Sequence, residues 1–227
     1  MASPIGPDTL RFLRALKRNN NRAWFQARRD VYERDVKGPM LAVIARLAAD
    51  FKRFAPEMVS APDSLFRIYR DTRFTEDKTP YKTHAAASFW SRGLGRGRGA
   101  GLYFEVAPGW TWMGGGFYAP EPADLVRIRA HIADTYPEIH RTVRSAAFRR
   151  GFGELAGDRL TRVPRGYAKD HEAAEYLKHR NFLAGREFPA EFATSAAFYP
   201  TLVETFKAAM PLVRFLNEAM ASDVGGA

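Results

Sequence analysis

The chain has 227 residues, 46% of them hydrophobic, which is enough to build the core of one large domain. Its 35 Lys and Arg residues exceed its 25 Asp and Glu residues and give a formal net charge of +10. The absence of cysteine excludes disulfides and thiol chemistry, and leaves His and carboxylates as ordinary metal ligands. With no secretory h-region and no apolar stretch of about 20 residues, we expect a cytoplasmic protein that does not span a membrane.

The N-terminal segment has the apolar spacing of amphipathic helices. Leu10, Leu13 and Leu16, for example, recur three positions apart. Helices are predicted over residues 8–18, 22–36 and 40–54. We expect Gly38–Pro39 to interrupt the helical conformation between the last two of these helices.

From residue 65 the apolar pattern becomes alternating, as in a β-strand. Residues 66–71 place Arg70 on an apolar side and Arg67 on a polar side. Further alternation follows in HAAASFW, GLYFEV and GWTWMGGGFY, and the segments SRGLGRGRGA and APG separate these runs. We therefore predict an antiparallel meander over about residues 65–118.

The remainder is mixed and helix-rich. Helices are predicted over 122–136, 137–148, 171–180 and 195–221, and possible strands over 159–164 and 180–188. We expect a break or kink in the last helix near Pro200 or Pro211. The whole pattern predicts an α+β fold, in which an antiparallel sheet packs against helices from both chain ends. We expect one domain, helical over 1–60, sheet-rich over 61–120 and mixed over 121–227.

The segment RIYRDTRFTEDKTPYK resembles the signature of a bacterial conserved-hypothetical family, domain of unknown function family 2461. That signature is roughly R-x-x-R-D-x-R-F, then D or N followed by K-x-x-Y. The matching positions are Arg67, Arg70, Asp71, Arg73, Phe74, Asp77, Lys78 and Tyr81. The resemblance extends to NNNRAWFQARRDVYE, GGGFYAPEP and VPRGYAKDH, and so to most of the chain. It implies membership of an uncharacterised family and brings no activity with it.

The charged residues of this signature can have two roles. An arginine on an apolar side must pair with a carboxylate, so we predict a structural network made of Arg70, Asp71, Phe74 and Asp77. Exposed arginines present planar forks that suit phosphate or carboxylate. The predicted set of anion-binding residues is Arg67, Arg73, Lys78, Tyr81, Lys82 and His84. His84 could also serve as an acid or base, and Glu105 could be a base or an ion-pair partner.

Two other functions fit the sequence. A nucleic-acid-associated module would use the 92–98 loop and the basic run over 141–169, around Arg141, Arg144, Arg149, Arg150, Arg162 and Arg165. An interaction protein would use the signature only for stability. We predict no cofactor and no metal: His171, Glu175 and His179 share a helical stripe, but three successive turns span about 12 Å and cannot all reach one ion. Whether the protein is an enzyme is left open.

Overall fold

A computed structural model describes residues 3–73 and 75–221. The helices are α1 (Pro7–Arg18), α2 (Arg22–Gln26), α3 (Arg29–Tyr32), α4 (Gly38–Phe54), α5 (Pro122–Asp134), α6 (Tyr136–Arg144), α7 (Ala146–Phe152), α8 (Ala174–Leu177) and α9 (Phe198–Ala221). The strands are β1 (Met58–Val59), β2 (Ala85–Ser91), β3 (Gly101–Val106), β4 (Trp110–Phe117) and β5 (Phe182–Pro189). They pair in chain order as one antiparallel sheet, with helices from both chain ends on it. The predicted α+β fold is confirmed.

Two compact units can be distinguished within the described residues. The first comprises Met1–Phe89, Tyr103–Met113 and Glu187–Glu204. The second comprises Trp90–Leu102, Gly114–Arg186 and Thr205–Ala227. The single-domain organisation stays a prediction. In the described part of the chain, no helix combines the length and apolar content needed to cross a bilayer.

The core of the first unit is a chain of aromatic contacts between helices and strands. Phe51 of α4 meets Phe89 of β2 edge-on, with ring centres 5.3 Å apart. Phe89 stacks on Phe104 of β3 at 6.2 Å, and Phe198 of α9 meets Phe104 edge-on at 6.1 Å. An early helix and the last helix therefore both bury apolar surface on these strands, which is the main stabilising term for such a core.

In the second unit, close backbone packing sets the position of α9. A Cβ atom on Gly115 of β4 would lie 2.8 Å from Leu102 and 3.1 Å from Ala209 of α9, so a side chain here would force these neighbours to shift. Asn217, two turns further along α9, accepts a hydrogen bond from the Ala100 amide at 2.7 Å and donates one to the Ala100 carbonyl at 3.1 Å. The glycine-rich end of β4 thus allows α9 to pack closely against this strand.

Several predicted elements need correction. The helix predicted over 22–36 is split into α2, α3 and a π-helical turn over Glu33–Lys37. Gly38–Pro39 does not interrupt the helical conformation, because α4 begins there. A proline is tolerated in a first turn, since the amide hydrogen that it lacks would have no partner within the helix. Similarly, α9 runs through Pro200 and Pro211 without a break, while the alternative of a kink stays a prediction.

Two further predictions in the second unit are wrong in extent. The helix predicted over 171–180 is only the single turn α8, so the three-turn stripe of His171, Glu175 and His179 does not form. The strand predicted over 159–164 reduces to one bridge between Arg159 and His179. Both segments lack the sustained apolar periodicity that would hold a longer regular element.

Candidate functional site

Residues 66–73 and 75–84 form an irregular hairpin in place of the strand predicted over 66–71. The Phe66 amide donates to the Ala86 carbonyl at 2.9 Å, and the Lys82 amide donates to the Ile68 carbonyl at 2.8 Å. A single antiparallel bridge joins Tyr69 to Tyr81. Side-chain exposure still alternates over the first arm, where Ile68 is buried and Arg67 is exposed. The hairpin therefore keeps the two faces that the sequence suggests without a continuous ladder.

Tyr81 anchors this hairpin in the core. Its side chain is only 1% exposed and its ring stacks on Phe25 at 4.1 Å. The Asn20 side chain holds its backbone, because the amide nitrogen donates to the Tyr81 carbonyl at 2.9 Å and the amide oxygen accepts from the Tyr81 N–H at 3.1 Å. Tyr81 was predicted to contact a ligand, and this burial makes it a core residue that we leave out of the proposed ligand set.

Two of the three arginines of the signature form ion pairs with aspartates of the same hairpin. Arg70 pairs with Asp77 and also donates to the Thr79 hydroxyl at 3.2 Å. Arg73 forms a two-pronged pair with Asp71, with nitrogen to oxygen distances of 3.0 and 2.8 Å. The Arg73 guanidinium holds the pKa of the Asp71 carboxyl at about 2, below its ordinary value. These pairs brace the turn, and Phe74 lies outside the described residues.

Lys78 has a backbone partner within the same turn. Its ammonium group donates to the Thr72 carbonyl at 2.9 Å. This contact closes the loop between the two arms of the hairpin. Lys78 and Arg73, both predicted to bind a ligand, are therefore already committed to contacts within the turn.

Arg67 and Lys82 differ from these residues. Among the described residues, neither side chain makes a hydrogen bond or an ion pair, although Arg67 lies near enough to Asp71 to help lower its pKa. Lys82 is half-buried, with its nitrogen 4.9 Å from the centre of the Phe66 ring. Burial lowers the pKa of Lys82, and the neighbouring Arg67 charge lowers it further. Two cations thus lie close together without a paired carboxylate.

His84 lies near Lys82 and faces a carboxylate of β3. Its Nε2 atom is 3.6 Å from Oε2 of Glu105, and the Tyr103 hydroxyl donates to the same oxygen at 2.7 Å. Tyr103 and Glu105 share a face of β3 because side chains alternate along a strand, whereas Phe104 between them is buried. The alternation predicted for this strand therefore places the Glu105 carboxylate opposite His84, and the Tyr103 hydroxyl against that carboxylate.

The balance of charges around His84 favours its neutral form. Burial is the largest cause and lowers its pKa; Glu105 acts in the opposite direction, while Lys82 and Arg70 lower the pKa further. A neutral imidazole at neutral pH can accept a hydrogen bond or a proton. The arrangement can therefore hold an anion between cations and exchange a proton with it.

The structure thus brings together three of the six predicted ligand residues, Arg67, Lys82 and His84. Sequence reasoning missed Tyr103 and Phe66 as members of this cluster. A signal for Tyr103 was present, since strand alternation puts it on the same face as Glu105. Phe66 packs edge-on against Tyr103 at 6.2 Å, and so connects the hairpin to β3. We call Arg67, Lys82, His84, Tyr103 and Glu105 the hairpin site.

The residues of the other predicted sites lie elsewhere. The six arginines proposed for nucleic acid are all exposed in the second unit, at Arg141, Arg144, Arg149, Arg150, Arg162 and Arg165. Glu175, weighed as a metal ligand, pairs with Arg159 and Lys178. Across residues 3–73 and 75–221, no cluster of three His, Asp or Glu side chains is arranged to hold a metal ion.

Comparison with protein families gives one match, to the model of a conserved hypothetical protein family, DUF2461, over residues 8–215. The chain belongs to the DUF2461 family. Searches of curated proteins and of solved structures gave no match. In this DUF2461 protein the matched range contains the whole hairpin site. The family description assigns no activity.

Proposed function

We propose that this DUF2461 protein binds a small anionic ligand, bearing a phosphate or carboxylate group, at the hairpin site. The observation that carries the proposal is the pair of neighbouring cations, Arg67 and Lys82, which have no carboxylate partner among the described residues. Neighbouring like charges destabilise each other, and an anion placed between them removes that repulsion. Ionisable groups with perturbed pKa values also concentrate at functional sites.

The surrounding residues give each part of such a ligand a partner. Arg67 can offer a planar fork to two oxygens, and Lys82 adds a point charge whose direction is limited by the Phe66 ring. His84 can accept a hydrogen bond from a protonated ligand oxygen or hydroxyl. Glu105 already accepts a hydrogen bond from Tyr103, and its Oε2 atom lies 3.6 Å from Nε2 of His84. The ligand proposed is therefore small and carries at least one hydroxyl or protonated oxygen.

Two arginines of one hairpin provide a matched experiment. Arg67 and Arg73 are both exposed, and replacing either with alanine removes one positive charge. Isothermal titration calorimetry with inorganic phosphate and with citrate should show binding that Arg67→Ala or Lys82→Met weakens by about tenfold or more, since a charged hydrogen bond contributes about 1.5–3 kcal/mol. Arg73→Ala should bind nearly as the parent does, because Asp71 occupies that guanidinium. Equal losses for Arg67→Ala and Arg73→Ala would indicate only a general charge effect and would contradict the proposal.

Nucleic-acid binding is a second candidate function, favoured by one observation. Residues 141–186 carry 11 Lys and Arg against 5 Asp and Glu, and the six arginines named above are all exposed. Such a surface attracts phosphate backbones, with an affinity that falls steeply as salt increases. Fluorescence anisotropy with single- and double-stranded oligonucleotides at physiological salt tests it. A dissociation constant no better than the nonspecific range of about 10⁻⁴ to 10⁻⁶ M would reject this function.

A further inference from the structure

The second unit contains an open groove that has no part in the hairpin site. Its volume is about 560 Å³, within the range of small-molecule sites. Three kinds of residue line it: apolar residues and prolines on one wall, two arginines, and a polar pair. The lining residues are Tyr118, Ala119, Pro120, Pro122, Leu125, Val126, Arg129, Asp158, Arg180 and Asn181.

The polar side of the groove is held by close backbone contacts. A Cβ atom on Gly157 would lie 2.3 Å from the Asn181 carbonyl oxygen, and at a φ of +137° this position favours glycine. The Asn181 side chain accepts a hydrogen bond from the Asp158 amide at 2.7 Å and donates to the Asp158 carboxylate at 3.4 Å. The Arg180 amide also donates to the Asp158 carbonyl at 2.7 Å. Asp158 and Asn181 are thus fixed in place before any ligand arrives.

The two arginines are arranged differently from each other. Arg129 is anchored, because its Nε and Nη2 atoms donate to the carbonyls of Leu177 and His179, each at 3.0 Å. Burial lowers the pKa of Arg129, and the nearby positive charge of Arg180 lowers it further. Arg180 is exposed, and in the described part of the chain its side chain makes no hydrogen bond or ion pair. One fixed and one adjustable cation therefore line the same groove.

The apolar wall carries an unusual amount of exposed surface. Tyr118 is 76% exposed and Val126 is 67% exposed, and they are the two most exposed large hydrophobic residues in the described part of the chain. Pro120 and Pro122 stiffen the segment that presents Tyr118. The exposed ring of Tyr118 lines the same groove as Arg129 and Arg180, and a planar group can stack on such a ring.

From this combination we infer that the groove binds a nucleoside monophosphate. The base would stack on Tyr118, the phosphate would lie at Arg129 and Arg180, and Asp158 and Asn181 would bind the ribose hydroxyls. A carboxylate accepts hydrogen bonds from hydroxyls but repels phosphate, so Asp158 also fixes the direction of the ligand. Inorganic phosphate alone would leave the stacking platform uncovered. This inference concerns a different unit from the hairpin site and does not depend on the function proposed there.

Calorimetric titration with AMP, GMP, CMP and UMP, alongside adenosine and inorganic phosphate, tests the inference. We expect at least one monophosphate to bind about tenfold or more tightly than either adenosine or phosphate, because stacking and charge act together. Tyr118→Ala and Arg180→Ala should each weaken that binding by about tenfold, since one base stack or one charged contact is lost. Both residues are exposed, so the fold should tolerate these changes.

Two controls separate the groove from the hairpin site and from general charge. Arg150→Ala removes the same charge as Arg180→Ala from an exposed position outside the groove, and should leave monophosphate binding unchanged. Arg67→Ala reports on the hairpin site, and adding Tyr118→Ala or Arg180→Ala to it should still weaken monophosphate binding by about tenfold. Absence of binding by all four monophosphates would overturn the inference, as would equal losses for Arg150→Ala and Arg180→Ala. Loss in Arg67→Ala alone would assign the nucleotide to the hairpin site instead.

Discussion

Arg70 pairs with Asp77, seven positions further along the chain, while Asp71, its immediate neighbour, is held by Arg73. The two pairs cross-link the turn of the hairpin from its two sides. They leave Arg67 as the arginine of the signature that has no hydrogen-bond partner in the described part of the chain. The structure therefore separates the two arginines that brace the turn from Arg67, the arginine for which we propose a ligand.

Replacing Asp77 with asparagine should destabilise the hairpin. Asp77 accepts hydrogen bonds from Arg70 and from the Thr79 amide, the latter at 2.9 Å, and both hold its pKa below the ordinary value. We expect Asp77→Asn to lower the melting temperature, because the amide cannot serve as an anion for Arg70. The exposed neighbour Glu76 supplies the control, since Glu76→Gln makes the same chemical change. Equal melting temperatures for the two variants would remove the structural role of the pair.

Asn20 should matter more than the asparagine beside it. Its side chain makes two hydrogen bonds to the Tyr81 backbone, whereas the Asn19 side chain donates one exposed bond to the Ala15 carbonyl. Asn20→Ala leaves two partly buried backbone groups unpaired and should reduce the free energy of unfolding by about 1–3 kcal/mol. Asn19→Ala should have a smaller effect. Urea denaturation of both variants measures the difference, and a larger loss for Asn19→Ala would contradict it.

His179 should make the protein sensitive to acid. It is 3% exposed, and burial lowers its pKa to about 4, with the Arg159 charge acting in the same direction. Since the unfolded histidine has a pKa near 6.5, protons favour the unfolded state, and stability should fall as the pH drops from about 7 towards 4. The full loss is on the order of 3 kcal/mol.

The comparison for His179 is a pair of pH profiles. The free energy of unfolding of the parent and of His179→Gln should be measured between pH 8 and pH 4, because above pH 7 both side chains are uncharged. We expect the free energy of unfolding of the variant to fall less than that of the parent over this interval, by about 3 kcal/mol. Parallel profiles would show that His179 does not titrate in this way.

Two glycines should respond very differently to alanine. A Cβ atom on Gly116, whose φ is +137°, would lie 1.9 Å from the Phe182 carbonyl oxygen, so the strands must separate to accept it. Gly116→Ala should reduce the free energy of unfolding by more than about 3 kcal/mol. A Cβ atom on Gly93 would have no other atom within 4 Å. Gly93→Ala should therefore change the free energy of unfolding by less than about 1 kcal/mol. Thermal denaturation decides, and a stable Gly116→Ala protein would contradict the packing described.

The sequence predicts most of the fold because its strands alternate strongly. GLYFEV separates Phe104 from Tyr103 and Glu105 on opposite faces, and β3 has the expected pattern of exposure. Prediction from the sequence fails where local conformational preference competes with tertiary contacts. Gly38–Pro39 has the composition of a break, yet α4 starts there after a π-helical turn that local propensity does not reveal.

The candidate site was predictable only in part, for a similar reason. Alternation separates Arg67 from Arg70, but it does not tell which carboxylate pairs with which arginine. Tyr81 lies among charged residues, which predicts a ligand contact, whereas contacts with Phe25 and Asn20, distant in sequence, place it in the core. The groove is likewise built from segments far apart in the chain, which no local pattern joins.

The pKa of His84, measured by NMR with and without inorganic phosphate, tests the hairpin site most directly. In the free protein we expect it below 6.5, because burial, Lys82 and Arg70 outweigh Glu105. Bound phosphate adds negative charge beside the imidazole and should raise that pKa, in the parent and in Arg73→Ala but not in Lys82→Met or Arg67→Ala. A His84 pKa that does not respond to phosphate in the parent protein, or that responds equally in all four proteins, would contradict the account.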